Sequence, residues 1–287
     1  MIGAQGTNFD LEFYLRTNGK TLSLKKPVVM GILNLTPDSF YDGGMLPSKK
    51  ELLTKAEKHI NEGAGIIDVG AVSTKPNAQE VSEEDELKRL LPALKVLRKT
   101  FPDMFISVDT FRSTVAKAAA DEGADMINDI SGGTFDENMF NIIAKLKLPY
   151  VMMHIQGTPQ TMQQNPQYKN VVTDVFDFLN TQVKQAKQKG VKQIIIDVGF
   201  GFGKTLEHNY ELLAKLKYFE ILGFPLLVGV SRKGMIHKPL NITAHEALNG
   251  TTVINTLALL NGANILRVHD VKEAVEAIRL VNCYHSV

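Results

Sequence analysis

The sequence predicts an α/β protein folded as a closed (β/α)8 barrel of the TIM type with an N-terminal β-hairpin. Three observations predict it. Eight short apolar runs alternate with eight helical patterns along the chain, the order expected of parallel strands joined by crossover helices. The runs are continuous in Ile, Val and Leu, as when both faces of a strand are covered. The length of 287 residues suits one barrel of about 250 residues, so 1–287 is read as a single domain. An open doubly wound sheet is the alternative, but no Gly-x-Gly-x-x-Gly turn follows the first strand.

The hairpin comes first. Residues 9–26 alternate apolar and polar around Asn18-Gly19, a dipeptide whose tolerance of positive φ suits a two-residue turn. Its expected place is the bottom of the barrel. Strands follow over 28–34, 65–70, 105–109, 125–129, 150–154, 193–197, 225–230 and 264–269. Helices lie over 49–62, 82–100, 112–122, 136–147, 170–189, 206–219, 244–261 and 271–282. Ser48 is the N-cap expected for the first helix. Ser82-Glu83-Glu84-Asp85 gives the second a capping hydroxyl followed by acids in its first turn. Gly63, Gly123, Gly190 and Gly262 each stand just past a helix, where a left-handed residue ends it.

Composition excludes several classes of function. Lys and Arg number 32 against 31 Asp and Glu, a net charge of +1. Bulk charge therefore makes no case for nucleic acid or an anionic membrane. No apolar run approaches the roughly 20 residues of a membrane span. Residues 1–10 lack the basic-then-apolar order of a secretory signal. The single cysteine, Cys283, rules out an internal disulfide and a cysteine metal site. The expectation is a cytoplasmic protein with no membrane or nucleic-acid partner.

The chemistry is read at the carboxyl ends of the strands, where barrels carry it. There stand Asn34, Asp68, Asp109, Asn128 with Asp129, His154, Asp197, Ser231 with Arg232 and Lys233, and Arg267 with His269 and Asp270. One Asp at a strand end often does no more than bond a neighbouring loop amide. A full ring of polar groups is costly to bury unless satisfied, and it predicts a polar basin at the barrel mouth. Asp109, Asn128 and Asp197 give it carboxylates and an amide from the middle strands. Lys233, Arg267 and His269 give it cations at strands seven and eight, where barrels commonly bind phosphate. Arg232 is read as a solvated surface charge. A flat heterocycle with amidine-like N–H groups suits the carboxylates, and a phosphate suits the cations.

Two runs add detail. Residues 31–44, GILNLTPDSFYDGG, end the first strand at Pro37, which lacks an N–H and pushes Thr36 toward extended geometry. The loop beyond it is dense in oxygen and amide groups, Asp38, Ser39 and Asp42 among them. Residues 197–204, DVGFGFGK, set three glycines after a strand in neither a P-loop nor a dinucleotide pattern. Phe200 and Phe202 there are open to packing or to stacking on a ring. Met152 and Met153 are open to barrel core or to contact with a flat ligand.

Residues 31–44 closely resemble the first signature of the dihydropteroate synthases. The resemblance runs in order through STKPNA at 73–78, SVDTFR at 107–112, MINDISGG at 126–133 and MMHIQGTPQTMQ at 152–163. DVGFGFGKTLEHN at 197–209, GVSRKG at 229–234 and RVHDV at 267–271 complete it. It implies a barrel transferase of folate biosynthesis, a sulfonamide target and a homodimer. The reaction implied condenses 6-hydroxymethyl-7,8-dihydropterin pyrophosphate with p-aminobenzoate in an SN1-like step, with Mg²⁺ as cofactor.

Carried over by position, Asp109, Asn128, Asp197 and Lys233 would hold the pterin, with Met153 packed on it. Asn34, Thr74, Arg267 and His269 would hold the pyrophosphate, with Asn34 beside Mg²⁺. Asp42 would order the closed site. Lys233, Phe202 and Thr74-Lys75-Pro76 would line the p-aminobenzoate pocket, with Ser231 and the backbone of Gly234 as further substrate contacts. Asp109, Lys233, Asn34 and Asp42 form the implied catalytic set.

The chain departs from the family pattern at Val72, Lys75 and Asn77, where Glu, Arg and Gly are usual, at Val198 for Pro, and at Gly234 for Ser. Lys75 keeps a charge but not the planar fork of Arg. Two other readings stay open. A pterin-binding methyltransferase barrel would share the Asp/Asn pocket without needing Lys233, Arg267 with His269, or the 36–40 loop. A pterin-binding paralogue without turnover would account for the altered second loop.

Overall fold

The computed structural model describes residues 12–17, 19–35, 48–73 and 81–286. Among them, strands β3 (Val28–Asn34), β4 (Ile66–Gly70), β5 (Phe105–Asp109), β6 (Met126–Asp129) and β7 (Tyr150–Met153) run side by side and parallel. β8 (Ile194–Asp197), β9 (Leu226–Val228) and β10 (Ala263–Val268) continue the order, and β10 pairs with β3 to close the barrel. The predicted fold class is the one observed.

The strand pattern hides a period of two. Met30, Ile66, Phe105, Met126, Val151, Ile195, Leu227 and Ile265 form the lower barrel interior. Val29, Leu33, Ile67, Val69, Ile106 and Val108 point the other way, into the layer under the helices. Both sets are apolar, so the sequence shows no alternation. Two residues beyond the interior set the chemistry changes on five of the eight strands, to Asp68, Ser107, Asn128, Asp197 and Arg267. Alternate side chains of a strand share a face, so these polar groups sit one layer higher in the same interior. That switch from hydrocarbon to polar groups builds the basin.

The hairpin is β1 (Tyr14–Thr17) and β2 (Lys20–Ser23), antiparallel, with Thr17 opposite Lys20. Leu15 and Leu24 join the lower barrel cluster, so the hairpin plugs the bottom as expected. The Lys20 amine fixes it further, donating to Asp125 Oδ2 and to the Met104 carbonyl, each at 3.2 Å. Arg98 reaches the same Asp125 carboxylate.

The outer layer is α1 (Lys49–Asn61), α2 (Glu83–Thr100), α3 (Ser113–Asp121), α4 (Met139–Leu146) and α5 (Val171–Gln188), then α6 (Leu206–Ala214), α8 (Leu248–Leu260) and α9 (Val271–His285). Ser48 and Ser82 cap α1 and α2 as expected, Ser48 in a full capping box with Glu51. One element differs in kind. The helix expected over 206–219 stops at Ala214, and a 3₁₀ segment, Leu216–Leu222, follows. Leu216 and Phe219 are both fully buried; spaced by three, they share one face of a 3₁₀ turn. A four-residue helix, α7 (Gly234–His237), stands between β9 and α8. No helix of the described residues is long and apolar enough to cross a membrane.

Candidate active site

A cavity of about 930 Å³ opens at the carboxyl ends of the strands. Asn34, Asp109, Lys233, Arg267 and His269 line it, with Phe202, Ser231 and Gly234. The sequence-predicted residues are thus brought together from three strands, the loops after β8, β9 and β10, and the start of the short helix at Gly234. Asn128, Asp197 and Met153 lie beneath the lining, each at most 6% exposed. Asp42, Thr74, Lys75 and Pro76 fall outside the described residues, as do Asp38, Ser39 and Asn77.

Arg267 organises the centre. Its Nε donates to Asp68 Oδ2 at 2.6 Å and its Nη2 to Asp109 Oδ2 at 2.8 Å. Asn128 Nδ2 donates to the same Asp68 oxygen at 3.1 Å. The expected division of the basin into an acid side and a cation side is therefore corrected: the guanidinium crosses the barrel and bridges two carboxylates. A flat five-donor fork suits two acceptors at once. Asp68 carries this network. Its carboxylate is fully buried, and Oδ1 has no hydrogen-bond partner among the described residues. Sequence reasoning put Asp68 in the ring but gave it no role, since its partner lies far along the chain.

Burial sets the protonation of the site. It outweighs Arg267 at Asp109 and carries that carboxyl up to about 7. It lowers the Lys233 amine to about 8, against the opposing pull of Asp197. Burial, with Arg267 beside it, lowers His269 to about 4. His269 is therefore a neutral imidazole near pH 7, not one of the cations. The Ser231 hydroxyl accepts from the His269 backbone N–H at 3.2 Å and lies 3.0 Å from its Nδ1. Where that hydroxyl gives its own proton to Nδ1, the imidazole proton stands on Nε2.

Arg232 is also corrected. Its side chain is 26% exposed, and the guanidinium makes a two-pronged bond to Asp270, Nε to Oδ2 at 2.9 Å and Nη2 to Oδ1 at 2.7 Å. It ties the β9 loop to the start of α9 and is no free surface charge.

The glycine loop forms the remaining wall. Phe200 is 1% exposed and belongs to the outer core. Phe202 packs with Met153, Ile130 and Met162 under the cavity, and the Lys233 amine sits 4.7 Å from its ring centroid. Of the two phenylalanines open to stacking, Phe202 is the one placed for it. The loop starts at Asp197, whose Oδ1 accepts from the Gly199 N–H at 2.8 Å. Gly199 has φ +70, and a Cβ there would stand 1.9 Å from the His154 carbonyl oxygen. Gly199→Ala is expected to cost at least about 2 kcal/mol, from the left-handed backbone and the clash. Urea unfolding of the variant checks this; a loss below about 0.5 kcal/mol counts against a rigid loop.

Among the described residues no three His, Cys, Asp or Glu side chains gather as a metal cage. Asn34 offers one hard oxygen donor to the cavity, beside Gly70 at the β3–β4 junction.

A basin of this kind at the mouth of an eightfold barrel, with carboxylates, an amide, an amine and a guanidinium interlocked, has the character of an enzyme site for a small polar ligand. Comparison with known proteins narrows the class. Residues 30–269 match the family described as "Pterin binding enzyme". The chain is 44% identical to the dihydropteroate synthase of Haemophilus influenzae over 93% of its own length and 97% of the relative's. It is 45% identical to that of Escherichia coli K12, covering 93% and 95%. Among solved structures, a Yersinia pestis dihydropteroate synthase in a sulfonamide drug complex superposes with a TM-score of 0.91 at 41% identity, covering 96% of this chain and all of that one. A Xanthomonas albilineans dihydropteroate synthase with 4-aminobenzoic acid gives 0.89 at 36%, covering 96% and 98%. The chain belongs to the pterin-binding enzymes and, within them, to the dihydropteroate synthases, which are transferases.

Proposed function

We propose that the protein condenses 6-hydroxymethyl-7,8-dihydropterin pyrophosphate with p-aminobenzoate to 7,8-dihydropteroate and pyrophosphate, as a cytoplasmic step of folate synthesis. One observation carries this reading: Asp109, Lys233 and Arg267 line a single cavity, with Asp68 and Asn128 bonded beneath Arg267 and Asp197 buried near Lys233. Carboxylates and an amide match the adjacent ring and amino N–H groups of a pterin. Met153, in the apolar cluster with Phe202, gives the ring a face to lie on. Arg267, the Nε2–H of His269 and Asn34 suit the pyrophosphate. Lys233, Phe202, Ser231 and Gly234 border the place left for p-aminobenzoate. Asp42, Thr74, Lys75 and Pro76 keep the roles the resemblance implies.

The mechanism follows from where charge develops. The bond between the pterin methylene and the pyrophosphate oxygen breaks first, and its electron pair leaves with the pyrophosphate. Arg267 and His269 donate to that growing anion. The methylene is left cationic, with the charge spread into the ring. Asp109, as a carboxylate, stabilises that cation through space. The aryl amine then adds to the methylene and gives up one proton, so no covalent enzyme intermediate is needed. Mg²⁺ fits this donor set, because it prefers hard oxygens and binds through a few protein donors together with substrate phosphates. Asn34 would hold it, and when bound it would neutralise charge on the leaving group.

Pyrophosphate release, measured with and without p-aminobenzoate in Mg²⁺, tests the whole reading. The expected result is release that requires p-aminobenzoate, with dihydropteroate formed in equal amount. Tight binding of the pterin pyrophosphate without product would replace the synthase reading with a binding protein.

The same residues predict the pH profile of kcat/KM, which reports groups of the free enzyme. Asp109 acts as a carboxylate, so activity falls as pH drops through about 7. Lys233 acts as an ammonium, so activity falls as pH rises through about 8. A flat profile from pH 6 to 9 would remove both assignments.

We also propose a homodimer. Val253, Leu257 and Leu260 on α8 are 52%, 40% and 43% exposed, and Leu280 and Tyr284 on α9 are 71% and 68% exposed. The α8 spacing puts its three on one helix face. Leu257→Glu is expected to leave the fold intact and give monomers in sedimentation velocity. A wild-type chain that sediments as a monomer would count against the dimer.

A further inference from the structure

Four successive carbonyls of the glycine loop are each held by a different side chain. The Lys233 amine donates to the Phe200 oxygen at 2.6 Å, and Gln163 Nε2 donates to the Gly201 oxygen at 2.7 Å. The Lys204 amine donates to the Phe202 oxygen at 3.0 Å, and the Tyr168 hydroxyl donates to the Gly203 oxygen at 2.7 Å. Backbone carbonyls in irregular loops usually face water. Here each is tied down, so the loop's shape is fixed by side chains.

Lys204 differs from the other three donors. It is 3% exposed and borders the cavity. Its amine lies 2.9 Å from His154 Nδ1 and 3.4 Å from the His154 carbonyl oxygen. The His154 ring is itself immobilised, edge-on to Phe178 with centroids 4.9 Å apart. Lys204 therefore bolts the loop to the residue that follows β7. A buried lysine is expensive, and no step of the proposed reaction uses this one.

The loop in turn shapes the surroundings of Lys233. The Phe200 carbonyl receives the Lys233 amine, and the Phe202 ring lies beneath it. The side chain also packs against Gly201, where a Cβ would stand 3.4 Å from Lys233 Cδ.

We propose that Lys204, with His154, is a positioning residue for the Lys233 amine, acting by locking residues 199–204 against the end of β7. Lys233's role in turnover rests on the proposed synthase function; the lock itself does not. Lys233 faces Asp197 from β8, Arg267 from β10, Asp109 from β5, and the loop with the Lys204 amine itself, whose charge Lys204→Met and Lys204→Gln remove alike, so only the loop can set those two variants apart. The first three stay in place when Lys204 is changed. Freeing the loop admits water to the amine, which relieves the burial that lowers its pKa. The amine of Lys233 then titrates at higher pH.

The experiment is trace acetylation of Lys233 with acetic anhydride across pH 6–11, quantified by peptide mass spectrometry, on wild type, Lys204→Met and Lys204→Gln. It needs no substrate, so it stands apart from the synthase assay. The expected result is a midpoint near 8 in wild type, raised by about 1 unit in Lys204→Met. In steady-state kinetics, the basic limb of kcat/KM should move up with it. kcat/KM for p-aminobenzoate should fall between about tenfold and a hundredfold, the scale of a small misplacement. Lys204→Gln, which retains a donor for the Phe202 carbonyl, should lie between the two. A folded variant with an unchanged Lys233 midpoint and basic limb would overturn the proposal, even if its Tm fell. Failure of both variants to fold would also overturn it, because Lys204 would then serve stability alone. Wild-type protein without turnover but with the midpoint shift intact would sink the synthase reading and leave the lock standing.

Discussion

Lys233→Ala is expected to lower kcat/KM by about a hundredfold to a thousandfold, the cost typical of removing one preorganised donor, while the circular dichroism spectrum stays that of wild type. The position explains both halves. Lys233 is the residue before α7, and its backbone N–H is held by the Val230 carbonyl at 3.1 Å whatever the side chain. The amine makes one hydrogen bond that the backbone does not, to Phe200, and one ring contact, to Phe202. Losing these costs the fold little, because the Phe200 carbonyl is left facing a cavity that water can enter. For the reaction the loss is larger. A positive charge in Asp197's field, between the proposed pterin and p-aminobenzoate sides of the cavity, is gone. Turnover within tenfold of wild type would show that Lys233 is a structural lysine. Lys233→Arg separates charge from shape: it keeps the cation but cannot fit the narrow place between Gly201 and Phe202, and it should recover less than a tenth of the activity.

The barrel was legible because its strands are unbroken Ile, Val and Leu runs, and because each loop opens with its own stop signal. The break at Lys215 was not, since a helical run and a 3₁₀ run both place Leu216 and Phe219 inward. The basin was legible for a related reason. A strand in a barrel can point only inward or outward, so a polar residue at its carboxyl end is in the mouth when it is in phase with the interior set, as Asn34 and Asp109 are, and behind the wall when it is not, as Asp129 is on the Tyr150 hydroxyl. What each polar residue does there was less visible. Arg267 bonds Asp68 across 199 positions of sequence and Asp109 across 158, and no local period encodes such a pairing. His269 reads as a cation from its type, and only burial beside Arg267 makes it neutral. Lys204 looks like the tail of a glycine loop until the end of β7 is seen against it.

Asp68→Ala is expected to destabilise the protein by about 3–5 kcal/mol in equilibrium unfolding, the cost of stranding a buried charge whose partner is removed. Asp68 is fully buried, and its Oδ2 receives both Arg267 Nε and Asn128 Nδ2. Truncation leaves Arg267 on Asp109 alone and Asn128 with an unsatisfied amide. The competing outcome is that Asp109 takes over. It already holds Nη2, and it is the more exposed carboxylate, at 11% against none for Asp68. A guanidinium drawn wholly to Asp109 would survive at lower cost, but it would then neutralise the carboxylate proposed to face the pterin. Stability is thus predicted to separate two variants that affinity does not. Asp68→Asn keeps the volume and one acceptor oxygen, so it should lose less stability than Asp68→Ala. Both should lose pterin pyrophosphate affinity, because in both Arg267 moves toward Asp109. A loss of stability below about 1 kcal/mol in Asp68→Ala, with affinity unchanged, would show that Asp109 alone suffices to place Arg267 and that Asp68 is not the anchor of the site.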